Sequence, residues 1–473
     1  RIHAYDLPPV TATLVDTPGL VGEIVRVLRH RDEELYARRT DHFHVFEPHE
    51  APVLHVAPSQ RNRSFLTVDA AGVVKMHHST SEQTFFSLET GLGPPGQGPV
   101  AAQIAPRGDG QALLAGHELW IWDVHNPHPE VSLKTLFAPV HYEGYAAPGY
   151  VWQSTGGSDA FEPKLSLVPL AFGTLKGTLY ALLFALPLGV LGAVYTSQFM
   201  HPRLRAVVKP TVELMAGMPS VVLGFLAGLW LAPLAAQHFA ALAATALLLP
   251  GLILLAAWAW HRLPQRLRPK AFEGWEAALL IPVALAGGAL AFALGPLLEE
   301  AAMRGDWRSF LSEVFGLPYD VRNALVAGVA MGFAVIPIVF SISEDALSSV
   351  PQSLIAGSLA LGVNRWRTVT GVVIPTAMPG IVSSVMVGIG RAVGETMIVL
   401  MATGNTPVMN MSPFQGFRAL SANIAVEMPE APVGGTLYRV LFVTALLLFA
   451  FTFAMNTVGE LIRRRMTERV SRL

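Results

Sequence analysis

The sequence predicts an α-helical polytopic membrane protein that carries a β-rich domain before its membrane part. Hydrophobic residues make up 52% of the 473 residues, charged residues only 14%, and the mean hydropathy is +0.44. This composition is typical of several membrane spans rather than of a soluble globular protein. The chain is polar and strand-like up to Pro163 and consists of long apolar runs from Leu165 onward. We therefore predict two domains, residues 1–160 and residues 161–473.

Charge and motif content exclude several classes of function. The formal net charge is −1, and no run of Lys and Arg with interleaved aromatics is present, so a nucleic-acid partner is not expected. There is no cysteine, which excludes disulfides and thiol chemistry. No G-x-x-x-x-G-K-[ST] motif occurs, so any nucleotide must be bound by another chain. The sequence opens at Arg1 without a signal peptide, and we expect it to start part-way through the first domain.

The first domain contains a repeat with a period of about 46 to 48 residues. Val56-Ala57-Pro58 recurs as Ile104-Ala105-Pro106, and short alternating strands separated by Gly or Asp turns follow each copy. The length is that of a propeller blade, but closed propellers need about four blades. The sequence therefore predicts either part of a β-propeller or a smaller β-sandwich.

A histidine-rich stretch precedes this repeat. His42 and His44 would share one face of a strand, with Glu47, His49 and Glu50 nearby. The spacing fits no common metal-binding pattern and no cysteine joins it, so a solvated polar strand edge is favoured and no metal is expected.

Seven apolar runs are long enough to cross a bilayer. They cover Phe172–Tyr195, Thr211–Leu231, Phe239–Trp260, Trp275–Leu297, Asn323–Ile342, Val372–Met401 and Leu437–Leu461. Small residues recur four apart in several of them, as in Gly224 with Gly228 and Gly328 with Gly332, which favours close helix packing. The sequence thus predicts a packed bundle.

The distribution of basic residues predicts the orientation of this bundle. Loops on one side hold most of the Lys and Arg residues, namely Arg203, Arg205, Lys209, Arg262, Arg266, Arg268, Lys270, Arg365, Arg367, Arg463, Arg464, Arg465, Arg469 and Arg472. The positive-inside rule makes that side cytoplasmic. Seven crossings then place residues 1–160 outside and the C-terminus inside.

One segment between two spans cannot enter the bilayer. It runs over residues 343–371 and holds Gln352, Asn364, Arg365 and Arg367, which have no place in hydrocarbon. We predict a short amphipathic helix that lies outside the membrane and is available to a partner.

This segment resembles the cytoplasmic loop by which ABC importer permeases dock onto their ATPases, a loop with the pattern E-A-A-x-x-x-G followed by I-x-L-P. Gly362, Val372, Ile374 and Pro375 match the second half of the pattern, whereas Ala356-Gly357-Ser358 stands where the family has Glu-Ala-Ala. Several motifs in order are similar to the PstC-type permease of the phosphate-specific importer over roughly Val151 to Leu473. They are Ser343–Leu347, Val350–Leu354, Ser358–Gly362 and Arg391–Thr396.

The resemblance implies a permease subunit of the bacterial inner membrane rather than an enzyme. It implies partners in the form of a second permease chain (PstA-like or a second copy), a cytoplasmic ATPase dimer that binds ATP and Mg²⁺, an extracytoplasmic phosphate-binding protein, and membrane lipid. It also assigns ATPase coupling to Glu344 and Asp345 together with the pattern residues above.

Charged residues inside predicted spans are candidates for the transport path. Arg391 and Glu395 lie four apart and thus on one helix face, either as a structural pair or with Arg391 binding the oxygens of an anion. Glu213 would cap the dipole of its span in the first turn or act at a gate. Lys176 would attract an incoming anion or snorkel to the interface.

Two functions from other classes remain open at this point. A membrane-anchored sensor with an outer β domain would have one or two spans. A secondary transporter would show repeated halves of inverted topology, and no such halves are visible. Arg391 would also suit sulfate or a phosphonate, so the assignment of phosphate depends on the resemblance.

Overall fold

The structure, a computed structural model, describes residues 46–91, 99–115, 118–142, 145, 147–156, 161–262, 276–303 and 305–470. The chain divides into two compact units, Arg1–Ser166 and Leu167–Leu473. The predicted boundary was residue 160. The first unit extends to Ser166 because strand β9 (Lys164–Leu165) pairs with β8 (Trp152–Gln153).

The repeat in the first unit folds as two consecutive antiparallel sheets. The first sheet has the order β1 (Val53–Pro58), β2 (Ser64–Asp69), β3 (Val73–His78) and β4 (Gln83–Glu89). The second has the order β5 (Pro99–Ile104), β6 (Gly110–Ala115) and β7 (Glu118–Asp123). One apolar core with Leu66, Val74, Ile104 and Leu113 joins them. The β-rich prediction is confirmed for this region. A short helix, α1 (Leu133–Phe137), follows.

A buried hydrogen-bond chain crosses the first sheet. His49 Nδ1 donates to Asp69 Oδ2 at 2.9 Å, its Nε2 lies 2.7 Å from Thr67 Oγ1, and Thr67 Oγ1 lies 2.9 Å from His77 Nε2. The side chain of His49 is only 5% exposed. The expected solvated strand edge is therefore wrong at His49, because the ring is used to satisfy buried groups of neighbouring strands. His42 and His44 lie outside the described residues, and within the described ones no group of three potential metal ligands is found.

The second unit is a helix bundle, and seven of its described helices are long and apolar enough to cross a membrane. They are Val168–Gln198, Ser220–Gln237, Phe239–Trp260, Leu280–Ala301, Ala324–Ser348, Arg365–Val393 and Thr436–Glu468. The prediction of a polytopic helical protein is confirmed, and the sensor alternative with one or two spans is not supported.

The helices of this unit are numbered in chain order after α1. They are α2 (Val168–Gln198), α3 (Pro202–Ala216), α4 (Ser220–Leu226), α5 (Ala232–Gln237), α6 (Phe239–Arg262), α7 (Glu276–Ala302), α8 (Trp307–Phe315), α9 (Ala324–Ser348), α10 (Gln352–Ala360), α11 (Arg365–Thr368), α12 (Ile374–Val393), α13 (Met397–Ala402), α14 (Leu420–Glu427) and α15 (Thr436–Val470). Two π-helical turns, Ala227–Leu231 and Val369–Val373, interrupt the α-helical segments.

Two predicted span boundaries differ most from the structure. The second span begins at Ser220 rather than Thr211, because Gly217 ends α3 and Pro219 disfavours helix in the residue before it. The sixth span ends at Val393 rather than Met401, because Gly394 caps α12 and a separate helix begins at Met397.

Glycine contacts fix how the spans run relative to one another. A Cβ at Gly328 of α9 would lie 2.7 Å from Tyr180 Cβ of α2, and one at Gly189 of α2 would lie 2.9 Å from Val339, so α2 and α9 are parallel. A Cβ at Gly459 of α15 would meet Met386 of α12, and one at Gly390 would meet Asn456, so those two helices are antiparallel.

These directions place the described basic loop residues at a single end of the bundle. The C-terminal ends of α2, α9 and α15 and the start of α12 all lie there, and Arg365 donates to Gln198 O across it at 2.6 Å. We call this the basic end. It holds α3, α10 and α11, whereas residues 403–435 lie at the opposite end. Arg266, Arg268, Lys270 and Arg472 lie outside the described residues.

The helices α6 and α7 form an antiparallel hairpin at the periphery of the bundle. A Cβ at Gly295 would lie 2.7 Å from Ala241, and outside this mutual contact most of their surface is unburied within the chain. Aromatic rings attach the hairpin at the end opposite the basic end, with Phe239 stacked on Trp307 at a centroid distance of 4.4 Å.

Candidate transport and coupling site

The segment between α9 and α12 forms an exposed projection. Helix α10 has no buried residue, and Leu354, Leu359 and Leu361 are 47%, 44% and 85% exposed. Gly362 ends it with φ of +79°, a left-handed conformation that favours glycine. The helix is not amphipathic, contrary to expectation, because its small and apolar residues face all directions. Ile355 packs partly against the core, but most of the apolar surface of α10 stays exposed within the chain, which is typical of a surface that binds a partner.

The residues of the docking pattern occupy different parts of this projection. Ala356 and Gly357 are exposed on α10, and Ser358 Oγ lies 3.0 Å from Thr368 Oγ1 of α11. Val372 and Ile374 are half-buried and Pro375 is exposed, at the junction of the π-helical turn and α12. The projecting part thus covers residues 351–364, because Val350 is buried in the core, and it is shorter than the predicted segment 343–371.

Glu344 is not part of that exposed surface, although the sequence assigned it to ATPase coupling. Its side chain is 0% exposed and accepts hydrogen bonds from Arg205 Nη2, from Lys209 Nζ at 2.6 Å and from Ser348 Oγ at 2.9 Å. Burial of a carboxylate is favourable only when it is paired in this way, so Glu344 is fixed inside the chain and unavailable to a partner protein.

Asp345, the next residue, is 68% exposed and binds the same lysine, with Lys209 Nζ 2.7 Å from its Oδ1. Hydrogen bonds from Lys209 to Asp345 and then Glu344 raise the pKa of the lysine above its usual value. Lys209 and Arg205 both lie on α3, so the group forms a basic-acidic cluster between α3 and α9. We call it the α3–α9 cluster, comprising Arg205, Lys209, Glu344, Asp345 and Ser348.

Arg391 and Glu395 do not form the predicted pair on one helix. Arg391 lies exposed in the last turn of α12, whereas Glu395 lies beyond the helix end and is 7% exposed. Glu395 Oε1 accepts the backbone N–H groups of Thr396, Met397 and Ile398 at 3.1, 3.2 and 3.4 Å. The carboxylate thus caps the start of α13. No ion pair involves Arg391 within the described chain.

Lys176 is fully buried, with 1% exposure, in the third turn of α2. Its Nζ donates to Gln415 O at 3.1 Å and to Gly416 O at 3.4 Å. Snorkelling to the interface is therefore wrong, and a direct contact with an anion is not possible in this conformation, because the segment 415–417 covers the ammonium group.

Glu213 is exposed and lies in the last turn of α3, not in the first turn of a span. A carboxylate at a helix C-terminus opposes the macrodipole, so the predicted capping role is wrong. No described contact brings it together with Arg391 or Lys176.

Sequence reasoning missed a second buried polar cluster at the end opposite the basic end. Arg418 donates to Asn405 O at 3.1 Å, to Asn423 Oδ1 at 3.2 Å and to Glu427 Oε1 at 2.8 Å. Ser421 Oγ donates to Glu395 O at 2.9 Å and so connects α14 to the capping residue. The partners of Arg418 could be identified only from the folded chain.

The sequence of this chain is similar to those of known transport proteins. Residues 278–470 match the family described as binding-protein-dependent transport system inner membrane component. The probable ABC transporter permease protein YqgH of Bacillus subtilis is 27% identical over 293 residues, covering 62% of this chain and 70% of the relative. Phosphate transport system permease protein PstC 1 of Mycobacterium tuberculosis is 28% identical over 308 residues, covering 64% and 73%.

A shorter stretch is more similar to another relative. The phosphate transport system permease protein PstC of Haemophilus influenzae is 34% identical over 153 residues, covering 32% of this chain and 48% of that protein. The resemblance stated from the sequence motifs is confirmed by these matches.

Proposed function

We propose that this chain is a multi-pass inner membrane permease subunit of an ABC transporter and that it forms half of a path for the import of inorganic phosphate. The observation that carries this proposal is the exposed guanidinium of Arg391 at the end of a membrane span, without an ion pair in the described chain. A lone charge there costs about 2.5 to 3.5 kcal/mol or more in hydrocarbon. It is therefore expected to face a wet path.

The chemistry of Arg391 supports an oxyanion as the substrate. A guanidinium presents a planar fork of N–H donors that matches two oxygens of a tetrahedral anion. This match does not distinguish phosphate from sulfate. Phosphate is supported by the names of two relatives, which are phosphate transport permeases.

A second permease subunit covers the Arg391 face of α12 in this proposal. Val387, one helical turn away from Arg391, is 46% exposed, so polar and apolar groups share this face. The partner chain is either a homologous permease or a second copy of this one, and the path lies between the two chains.

Energy comes from a cytoplasmic ATPase dimer that binds ATP and Mg²⁺ and docks onto α10. The exposed apolar residues of α10 provide the contact, and the absence of a P-loop motif from the sequence fits a subunit without ATPase activity of its own. The basic end is cytoplasmic under the positive-inside rule. Residues 1–160 are then extracytoplasmic, on the side where a phosphate-binding protein delivers its anion.

The proposal is tested by ATP-driven uptake of radiolabelled phosphate into proteoliposomes that contain the assembled transporter. Arg391→Gln should reduce uptake about 10- to 100-fold, the loss expected for a charge-assisted contact, and Arg391→Lys should recover only part of it. Arg439→Gln, which removes an exposed arginine from the start of α15, is the matched control and should leave uptake unchanged.

Two further results would contradict the proposal. If sulfate competes with labelled phosphate as well as unlabelled phosphate does, the substrate assignment is wrong. If Gly362→Glu, which adds a charged side chain at the end of α10, leaves uptake unchanged, α10 is not the docking element.

A further inference from the structure

The α3–α9 cluster connects two parts of the permease that are far apart in sequence. Glu344 lies in the last turns of α9, directly before the projection that carries α10. Its two cationic partners, Arg205 and Lys209, lie on α3. The cluster therefore connects α3 to the end of α9 that directly precedes α10, the proposed ATPase contact.

Helix α3 is attached to the bundle mainly through this cluster. Helix α3 has no buried residue, and among its apolar side chains Val212 is only partly buried against the core around Leu347 and Val350. By contrast, Glu344 is completely buried and both of its oxygens are occupied by α3 cations. A movement of the end of α9 must therefore carry α3 with it or expose an uncompensated buried carboxylate.

Helix α3 is in turn connected to the Glu395 turn by close backbone contacts. After the break at Gly217–Pro219, α4 packs on α13 so closely that a Cβ at Gly224 would lie 2.8 Å from Met397 O. Met397 is the first residue of α13, and its N–H is bound by Glu395. The turn that precedes α13 carries Gly394 next to the last turn of α12 with Arg391.

We propose that Glu344 is a positioning residue for transport, which transmits displacement of α10 through α3 and α4 to the Glu395 turn beside Arg391. The steps are the buried ion pairs between α9 and α3, the three-residue connection Gly217–Pro219 between α3 and α4, and the close packing of α4 on α13. Contiguous connections of this kind can carry coupling between distant sites. The inference rests on the proposed function, since it needs ATP hydrolysis at α10 and an anion path at Arg391.

The test compares phosphate transported per ATP hydrolysed in proteoliposomes. Glu344→Gln should lower this ratio about 2- to 30-fold, the range for residues that carry coupling, while ATP hydrolysis by the assembled complex persists. Glu460→Gln is the matched control, because Glu460 also binds two arginines, Arg463 and Arg464 at 2.8 Å, but on the exposed surface of one helix. Its ratio should equal that of the wild type.

A rescue experiment separates coupling from simple loss of stability. The sequence has no cysteine, so Arg205→Cys and Ser348→Cys introduce a unique pair at positions whose side chains are in contact, with Arg205 Nη2 2.6 Å from Ser348 Oγ. In the Glu344→Gln background, cross-linking this pair with a bifunctional thiol reagent should restore the ratio, because the covalent connection replaces the ion pairs.

The possible results each decide the question. An unchanged ratio in Glu344→Gln, equal proportional loss of hydrolysis and uptake, or failure of the cross-link to restore the ratio would overturn the inference. If the wild-type complex itself shows no ATP-dependent phosphate uptake, the proposed function fails, which is a distinguishable outcome.

Discussion

The substitution Gly228→Ala is expected to destabilise the membrane unit and reduce transport. Gly228 lies in the π-helical turn Ala227–Leu231, where a Cβ would lie 2.5 Å from Met401 O and 3.2 Å from Met401 C. An ordinary van der Waals contact needs a distance roughly 1 Å longer, so α13 must move away from the turn or the turn must distort. Overpacking against backbone costs about 1–3 kcal/mol, partly offset by up to about 1 kcal/mol of helix propensity gained over glycine.

The displacement has a functional consequence because α13 begins at the Glu395 turn. Moving α13 lengthens the contacts between Glu395 Oε1 and the N–H groups of Met397 and Ile398, which are already 3.2 and 3.4 Å long. We therefore expect Gly228→Ala to lower phosphate uptake per assembled complex as well as the unfolding temperature.

The matched control is Gly251→Ala in α6, another glycine inside a span, where a Cβ would meet nothing within 4 Å. Both variants are measured by thermal unfolding in lipid nanodiscs and by uptake in proteoliposomes. If Gly228→Ala unfolds and transports like Gly251→Ala, then α4, the π-helical turn and α13 are not packed at backbone contact, and the reasoning is refuted.

Two other predictions concern buried titratable groups. Burial lowers the pKa of His77 to about 4, so the folded β unit leaves it neutral while the unfolded chain takes up a proton below about 6.5. The free energy of unfolding of this unit should be highest above that pH and should fall by on the order of 3 kcal/mol as the pH decreases to about 4. Hydrogen exchange of the β2 and β3 amides across this pH range measures the change. An exchange free energy that does not vary with pH would contradict the prediction. Glu395→Ala should lower the free energy that protects the amides of Met397 and Ile398 from hydrogen exchange by about 1–2 kcal/mol, because the capping contact is lost. Glu395→Gln keeps an acceptor oxygen and should lower this free energy much less. Equal exchange in the two variants would show that the charge, not the acceptor, holds the turn.

The features that the sequence predicted well are those with a local pattern. Long apolar runs identified the seven spans found among the described residues, and the spacing of Gly224 with Gly228 and of Gly328 with Gly332 indicated helix contacts that the structure contains. The repeat in the first unit likewise corresponded to two successive sheets. These signals depend on residues within a few turns or strands of one another.

The site residues were harder to assign because their partners are remote. Glu344 was assigned to the surface by motif, but its burial depends on Arg205 and Lys209, which are 139 and 135 residues away. Arg391 and Glu395 share a face only if the helix continues, and the cap at Gly394 interrupts it. A hydropathy pattern cannot reveal such breaks, since Gly and polar residues are tolerated inside spans as well.

The burial of Lys176 has a consequence for the biosynthesis of this protein. Its nearest acceptor, Gln415 O, belongs to a residue that is synthesised 239 residues later. At about 5–20 residues per second, the α2 segment waits roughly 12–48 s before the ribosome has made the carbonyl groups that bind its ammonium. During that interval the lysine must remain near the membrane surface or contact the insertion machinery, because an unpaired charge in lipid is costly. The α2 segment therefore reaches its final position only after residues 415 and 416 have been synthesised.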